Sequence, residues 1–148
     1  MAEIVVGVDG SESSVRATRW AIEEAAHRRA SVRIISAFQA PATWLGMGEA
    51  LGATMTVAVS EDDLKSYALS TIEAVLDGID VPDAVEVISD ARMGHASDVL
   101  IAASREADLL VVGSRGHGDI GSLLLGSTGM HCVHHSACPV VVVPHDGR

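Results

Sequence analysis

Five short aliphatic runs recur along the chain, and helical patterns fill most of the gaps between them. The runs are Glu3 to Asp9 (EIVVGVD), Val32 to Phe38 (VRIISAF), Ala84 to Ser89, Asp108 to Gly113 (DLLVVG) and Cys138 to Val143 (CPVVVV). They are solidly apolar rather than alternating in polarity. A strand with one wet face alternates, whereas a strand covered on both faces does not need to. Such runs, separated by helices, specify a parallel sheet with helices on both faces. Right-handed crossovers make it a doubly wound α/β domain.

The helical segments have their own signals. Ser11 stands where an N-cap is expected, and Val15, Thr18, Ile22 and Ala25 follow at helical spacing. A second helix is predicted from about Glu61 to Asp77, with Leu64, Ala68, Ile72, Val75 and Ile79 on one face. Two more are predicted from about His95 to Arg105 and from about Ser127 to Ser136. Residues Gln39 to Ser60 hold Pro41, Trp44 and three glycines with no clean period, which reads as a long loop. No repeat or linker divides residues 1–148, so one domain is expected.

Composition narrows the function. A formal net charge of −10 disfavours nucleic acid, whose phosphates need clustered Lys and Arg. No apolar run reaches the roughly eighteen residues that span a bilayer. Met1 to Ile4 carries no basic n-region, so no secretory signal is expected. A soluble, cytoplasmic protein without membrane or nucleic-acid partners is the expectation. Cys132 and Cys138 form neither CxxC nor a multi-pair spacing, and no disulfide framework is expected.

Ligands of doubly wound sheets bind beyond the carboxyl ends of the strands, where strand order reverses. Two loops leave those ends with binding chemistry: Asp9-Gly10-Ser11 after the first strand, and the segment from Gly113 onward after the fourth. The second is dense in glycine, with Gly113, Gly116, Gly118, Gly121, Gly126 and Gly129 among its seventeen residues 113–129. A glycine loop between strand and helix turns backbone N–H groups toward an anion, and the next helix adds its own free amides. Ser127 and Thr128 add hydroxyls at that helix start. Phosphate suits this better than carboxylate or sugar; tight turning alone is the other reading. GxxxxGK[ST] is absent, and the one lysine, Lys65, lies in the second helix. GxGxxG after the first strand is absent too, which disfavours a dinucleotide site.

What remains is Gly113-x₂-Gly116-x₉-Gly126-Ser127, and this resembles the signature of the universal stress protein family in its ATP-binding branch. "IVVGVDGSESS", "ADLLVVGSRGHG", "LLLGST" and "CPVVVVP" resemble the family's first turn, phosphate segment and closing strand. Residues 1–38 and 84–144 match in order; residues 39–60 match nothing specific. The resemblance implies a Rossmann-like, adenine nucleotide hydrolase-like fold with a five-stranded sheet in the order 3-2-1-4-5. It implies binding of ATP or a related adenine nucleotide. By position, Asp9, Gly10 and Ser11 would sit beside ribose and phosphates, and Phe38 near adenine, where the family often has a smaller aliphatic residue. Gly113, Ser114, Arg115, Gly116, His117 and Gly118 would wrap the ribose and phosphates together with Gly126, Ser127 and Thr128.

Several residues carry two readings each. Asp9 can hold a magnesium ion that bridges phosphates, or form a turn at the end of a strand. Arg115 and His117 can pair with phosphate, which suits Arg better, or stand solvated on a loop. His131 and His135, four apart, share a helix face as two zinc ligands would. A site would need further ligands, and a polar outer face is the blander reading. Trp20 and Trp44 are too isolated for base stacking and read as partial core.

No lysine or evident base stands near the loop, which leaves a thin catalytic set. A regulatory nucleotide-binding protein with slow hydrolysis or none, at most a weak ATPase, is expected, and the family name implies a role in stress survival. Three alternatives stay open. One is an AMP or cyclic AMP binder. Another is a PP-loop-type ATP-cleaving enzyme, although "DGSESS" does not match that class's SGGxDS. The third is a structural dimer without nucleotide. The run Cys138 to Val143, uncharged and at a sheet edge in the 3-2-1-4-5 order, is expected to pair with its own copy in a homodimer.

Overall fold

The computed structural model describes residues 1–39, 59–116 and 125–145. In chain order the elements are β1 (Glu3–Val8), α1 (Glu12–Arg28), β2 (Ser31–Phe38), α2 (Glu61–Leu76), β3 (Val87–Met93), α3 (Ala96–Ala103), β4 (Leu109–Gly113), α4 (Ser127–His135) and β5 (Val140–Val143). The strands form one sheet in the order β3-β2-β1-β4-β5, with every neighbouring pair parallel. Ile4 stands level with Val32 on one side and Leu109 on the other, so β1 is flanked by β2 and β4. The expected order 3-2-1-4-5 is the one observed.

Strand alternation divides the apolar residues between two cores. Ile4, Val6 and Val8 of β1 join Val32, Ile34, Leu109 and Val111 beneath α1 and α2, which contribute Ala17, Ile22, Ile72 and Val75. Val5, Ile35, Leu110 and Val112 point the other way, toward Val99, Leu100 and Ala103 of α3 and Cys132 of α4. Both faces of the central strands are covered, which is why their sequences do not alternate. Trp20 packs against the first core, as expected of a partial core residue. Trp44 lies outside the described residues.

Helix ends follow local chemistry. The Ser11 side chain accepts the Ser14 amide and Glu12 sits in the first turn of α1, matching the positive end of its dipole. Ser60 and Asp63 form a capping box that starts α2.

Two strands begin later than expected. β3 was expected over 84–89 and runs over Val87–Met93. The Val85 amide donates to the Pro82 carbonyl in a turn, and the Val85 side chain is buried there, so its apolar character reflects burial rather than extension. At the far end the strand continues through Asp90 and Arg92, which an edge strand tolerates. Glu3 takes Arg33 Nε and Nη2 at 3.0 Å each, and Arg33 Nη1 lies 3.5 Å from Asp90 Oδ2, so charges stitch β1, β2 and β3 together. The hydrogen bond to Glu3 and the nearby carboxylates raise the pKa of Arg33 against a smaller opposing effect of burial. β5 begins at Val140, after a bend at Ala137 and Cys138 where the Ser136 hydroxyl donates to the Cys138 carbonyl.

Candidate functional site

β1 and β4 are neighbours, and the loops after them open side by side into one cleft. Ile35, Ala37, Leu100 and Val112 give it an apolar floor on the α3–α4 side of the sheet. Asp9, Arg115, Gly116 and the Gly126–Gly129 turn supply its polar rim. A ligand with a flat apolar part and an anionic part suits these two halves.

The Asp9 turn is tightly specified. Asp9 Oδ1 accepts the Ser11 amide at 2.9 Å, and Gly10 has φ of 85°, a conformation that disfavours side chains. The Ser11 hydroxyl oxygen is committed to capping α1. Asp9 lines the cleft, whereas Gly10 and Ser11 do not.

The loop after β4 is tied down at both ends. A Cβ on Gly113 would lie 2.3 Å from Ser13 Oγ and 2.8 Å from the Ser13 carbonyl oxygen, so this position admits only glycine without a shift of α1. The Arg115 amide donates to Ser13 Oγ at 3.2 Å. Ser114 faces away from the cleft in its bonding: its amide donates to the Val143 carbonyl, and its hydroxyl accepts the His145 amide at 2.9 Å. Gly126 is the N-cap of α4 and brings no side chain to satisfy the helix's first amides. Those amides, the Ser127 and Thr128 positions and the positive end of the helix dipole meet at the rim.

Of the residues singled out in the sequence, Asp9, Gly113, Arg115, Gly116, Gly126, Ser127 and Thr128 line this one cleft. Phe38 does not. By strand alternation it falls on the α1–α2 side of the sheet, and Ala37 occupies the cleft floor in its place. His117 and Gly118 lie outside the described residues. Sequence reasoning missed Ser13, Ser14, Gly7 and the apolar floor. A Cβ on Gly7 would meet Leu100 Cδ1 at 2.6 Å, so this glycine lets α3 sit down on β1. The signal for Ser13 and Ser14 was a pair of small hydroxyl residues on a helix face that packs against the sheet.

His131 and His135 have ring centroids 6.0 Å apart, and His131 Nδ1 lies 3.2 Å from the Ser127 carbonyl oxygen. Among the described residues no group of three His, Cys, Asp or Glu side chains is placed to hold a metal. Nor is any described helix long and apolar enough to cross a membrane.

The universal stress protein family model matches residues 1–144. A universal stress protein of Mycolicibacterium smegmatis is 32% identical over 98% of this chain and 49% of its own length. The chain spans about half the length of the curated relatives it matches. The universal stress protein UspA from Lactobacillus plantarum superposes with a TM-score of 0.74 at 20% identity, covering 96% of this chain and 97% of that one. A universal stress protein solved in complex with cAMP gives a TM-score of 0.58 at 28% identity, over 96% and 95% of the two chains. The family pattern runs from β1 through the edge strand, over the same two loops that build the cleft, and the chain belongs to the universal stress protein family.

Proposed function

We propose that the cleft binds an adenine nucleotide, ATP in the first instance, and that residues 1–148 act as one nucleotide-binding domain in the cytoplasm. The observation that carries this reading is the junction of an apolar floor with the side-chain-free start of α4 at Gly126. Ile35, Ala37, Leu100 and Val112 would take the base, and the α4 amides with Ser127 and Thr128 would take phosphate. Arg115 would add a permanent, forked charge that offsets the acidic character of the chain. Asp9 fits a magnesium ion held by one carboxylate together with ligand phosphates.

The role is regulatory, with occupancy of the cleft changing what the protein contacts during stress. Lys65, the one lysine, is exposed on α2, across the sheet from the cleft. Without a lysine clamp or an evident base, hydrolysis is slow or nil, below about 1 s⁻¹. Cyclic AMP is the second reading, supported by the relative solved in complex with it.

Heating the purified protein and identifying the released nucleotide by mass tests the reading, together with calorimetric titration of ATP, AMP and cAMP. No binding of any of the three overturns it. Tightest binding of cAMP favours the second reading. Appearance of AMP and pyrophosphate from ATP would indicate PP-loop chemistry instead. Asp9→Ala should weaken ATP binding more in magnesium than in EDTA; equal losses would leave Asp9 a turn former only.

A further inference from the structure

Ser13 is 3% exposed and lies between the two loops that build the cleft. It belongs to the first turn of α1, which the Asp9 turn positions from one side through the Asp9–Ser11 and Ser11–Ser14 contacts. On the other side, Ser13 Oγ accepts the Arg115 amide at 3.2 Å, across 102 residues of sequence. The fit there is close: Ser13 Oγ occupies space that any Cβ on Gly113 would need. The next residue, Ser14, itself lines the cleft.

We infer that Ser13 is a positioning residue for phosphate recognition: its hydroxyl oxygen fixes the Arg115–Gly116 backbone at the cleft rim and so sets affinity for the phosphorylated part of the ligand. A buried acceptor that captures one amide selects one orientation of the adjoining peptide planes. Arg115 stands on that peptide, and both it and Gly116 line the cleft. Without the acceptor, the loop after β4 keeps the Ser114–Val143 and Gly126–Ser114 bonds but loses this hydrogen bond to α1. The apolar floor, built from β2, α3 and β4, makes no use of Ser13. The two halves of a nucleotide should therefore respond differently to its removal.

This inference rests on the nucleotide reading for its ligand, and the experiment separates the two. Calorimetry would compare ATP with adenosine in wild type, Ser13→Ala, Arg115→Ala and the double variant. In Ser13→Ala, ATP affinity should fall about tenfold, the scale of one hydrogen bond to the backbone. Adenosine affinity should stay within about twofold. The double variant should bind ATP about as weakly as the weaker single variant, because both changes act through one loop. Equal losses for ATP and adenosine, or additive losses in the double variant, would overturn the inference. Ser13→Thr, which retains the oxygen, should restore ATP affinity if it folds. If wild type binds neither ligand, the nucleotide reading fails, and hydrogen exchange decides the positioning claim alone. The Arg115 amide should be protected in wild type and should exchange faster in Ser13→Ala. An Arg115 amide exchanging as fast as an unprotected peptide in wild type overturns the claim without any variant.

Discussion

The Gly126 amide donates to the Ser114 carbonyl at 2.9 Å. This bond ties the end of β4 to the start of α4. It keeps the first amides of α4 beside the end of β4, where the cleft opens. Gly126 itself has φ of −61° and ψ of 163°, ordinary extended values that any residue adopts. Glycine is not demanded here by the backbone. Gly126 lines the cleft, so a side chain there would stand at the start of α4 on the cleft wall.

Gly126→Val is accordingly expected to stay folded, with a thermal midpoint close to wild type, and to lose at least about tenfold in ATP affinity, or about 1.4 kcal/mol. A melting curve and a calorimetric titration check the two halves of this statement. Unchanged affinity in the folded variant would remove phosphate from the start of α4.

Gly113 is the opposite case. Its missing Cβ is required by the backbone oxygen and the hydroxyl of Ser13, and α1 cannot yield without disturbing the first core. Gly113→Ala should cost about 2 kcal/mol by overpacking, a drop of roughly 4–8 °C in thermal midpoint for a chain of this size. A midpoint within a degree of wild type would mean that α1 and β4 separate freely. Gly113 thus serves helix–strand approach, and whether Gly126 serves ligand approach is what the valine variant tests.

Much of this was legible beforehand. The solid aliphatic runs specified central strands because those strands are covered on both faces, and β1 and β4 lie within a residue of their expected bounds. The edges were harder to read. β3 carries Asp90 and Arg92 because an edge strand has room for ion pairs, so apolarity marked Val85 in the turn instead. At the site, glycine and hydroxyl residues announced the polar rim. The floor did not announce itself, since Ile35, Ala37, Leu100 and Val112 look like any core residues until strand alternation shows which face they occupy. Phe38 shows the same limit: its neighbour Ala37 is one residue away in sequence and on the other side of the sheet.

The two cysteines should behave differently. Burial pushes the Cys132 thiol up to about 11 from 9.0, while Cys138 is half-buried beside the Ser136 hydroxyl. The thiolate is the reactive form. A thiol reagent at pH 8 should label Cys138 in the native protein and Cys132 only after unfolding. Because the folded-state value lies above the unfolded one, the protonated Cys132 contributes stability that is complete below about pH 9 and is lost as pH rises toward 11. Peptide mapping after labelling checks the first point. Prompt labelling of Cys132 in the native state would show that α4 opens away from the sheet.

The outer edge of β5 leads to the last prediction. The carbonyls of Pro139 and Val143 accept from Leu110 and Ser114, so these alternate residues bond inward to β4. Strand alternation then turns the backbone of Val140 and Val142 outward, away from the sheet. No charge stands between Cys138 and Val143 to blunt this edge. Pairing with a second copy about a two-fold axis would satisfy those groups and cover the half-exposed valines. Lysine at Val143 would be a poor probe, because that side chain is 8% exposed in the first core. Val142→Pro is better: it deletes an outward N–H and leaves the bonds to β4 in place. Light scattering at micromolar concentration should give a dimer for wild type and a folded monomer for Val142→Pro. A wild type that is already monomeric, or a variant that stays dimeric, would place the contact elsewhere or remove it.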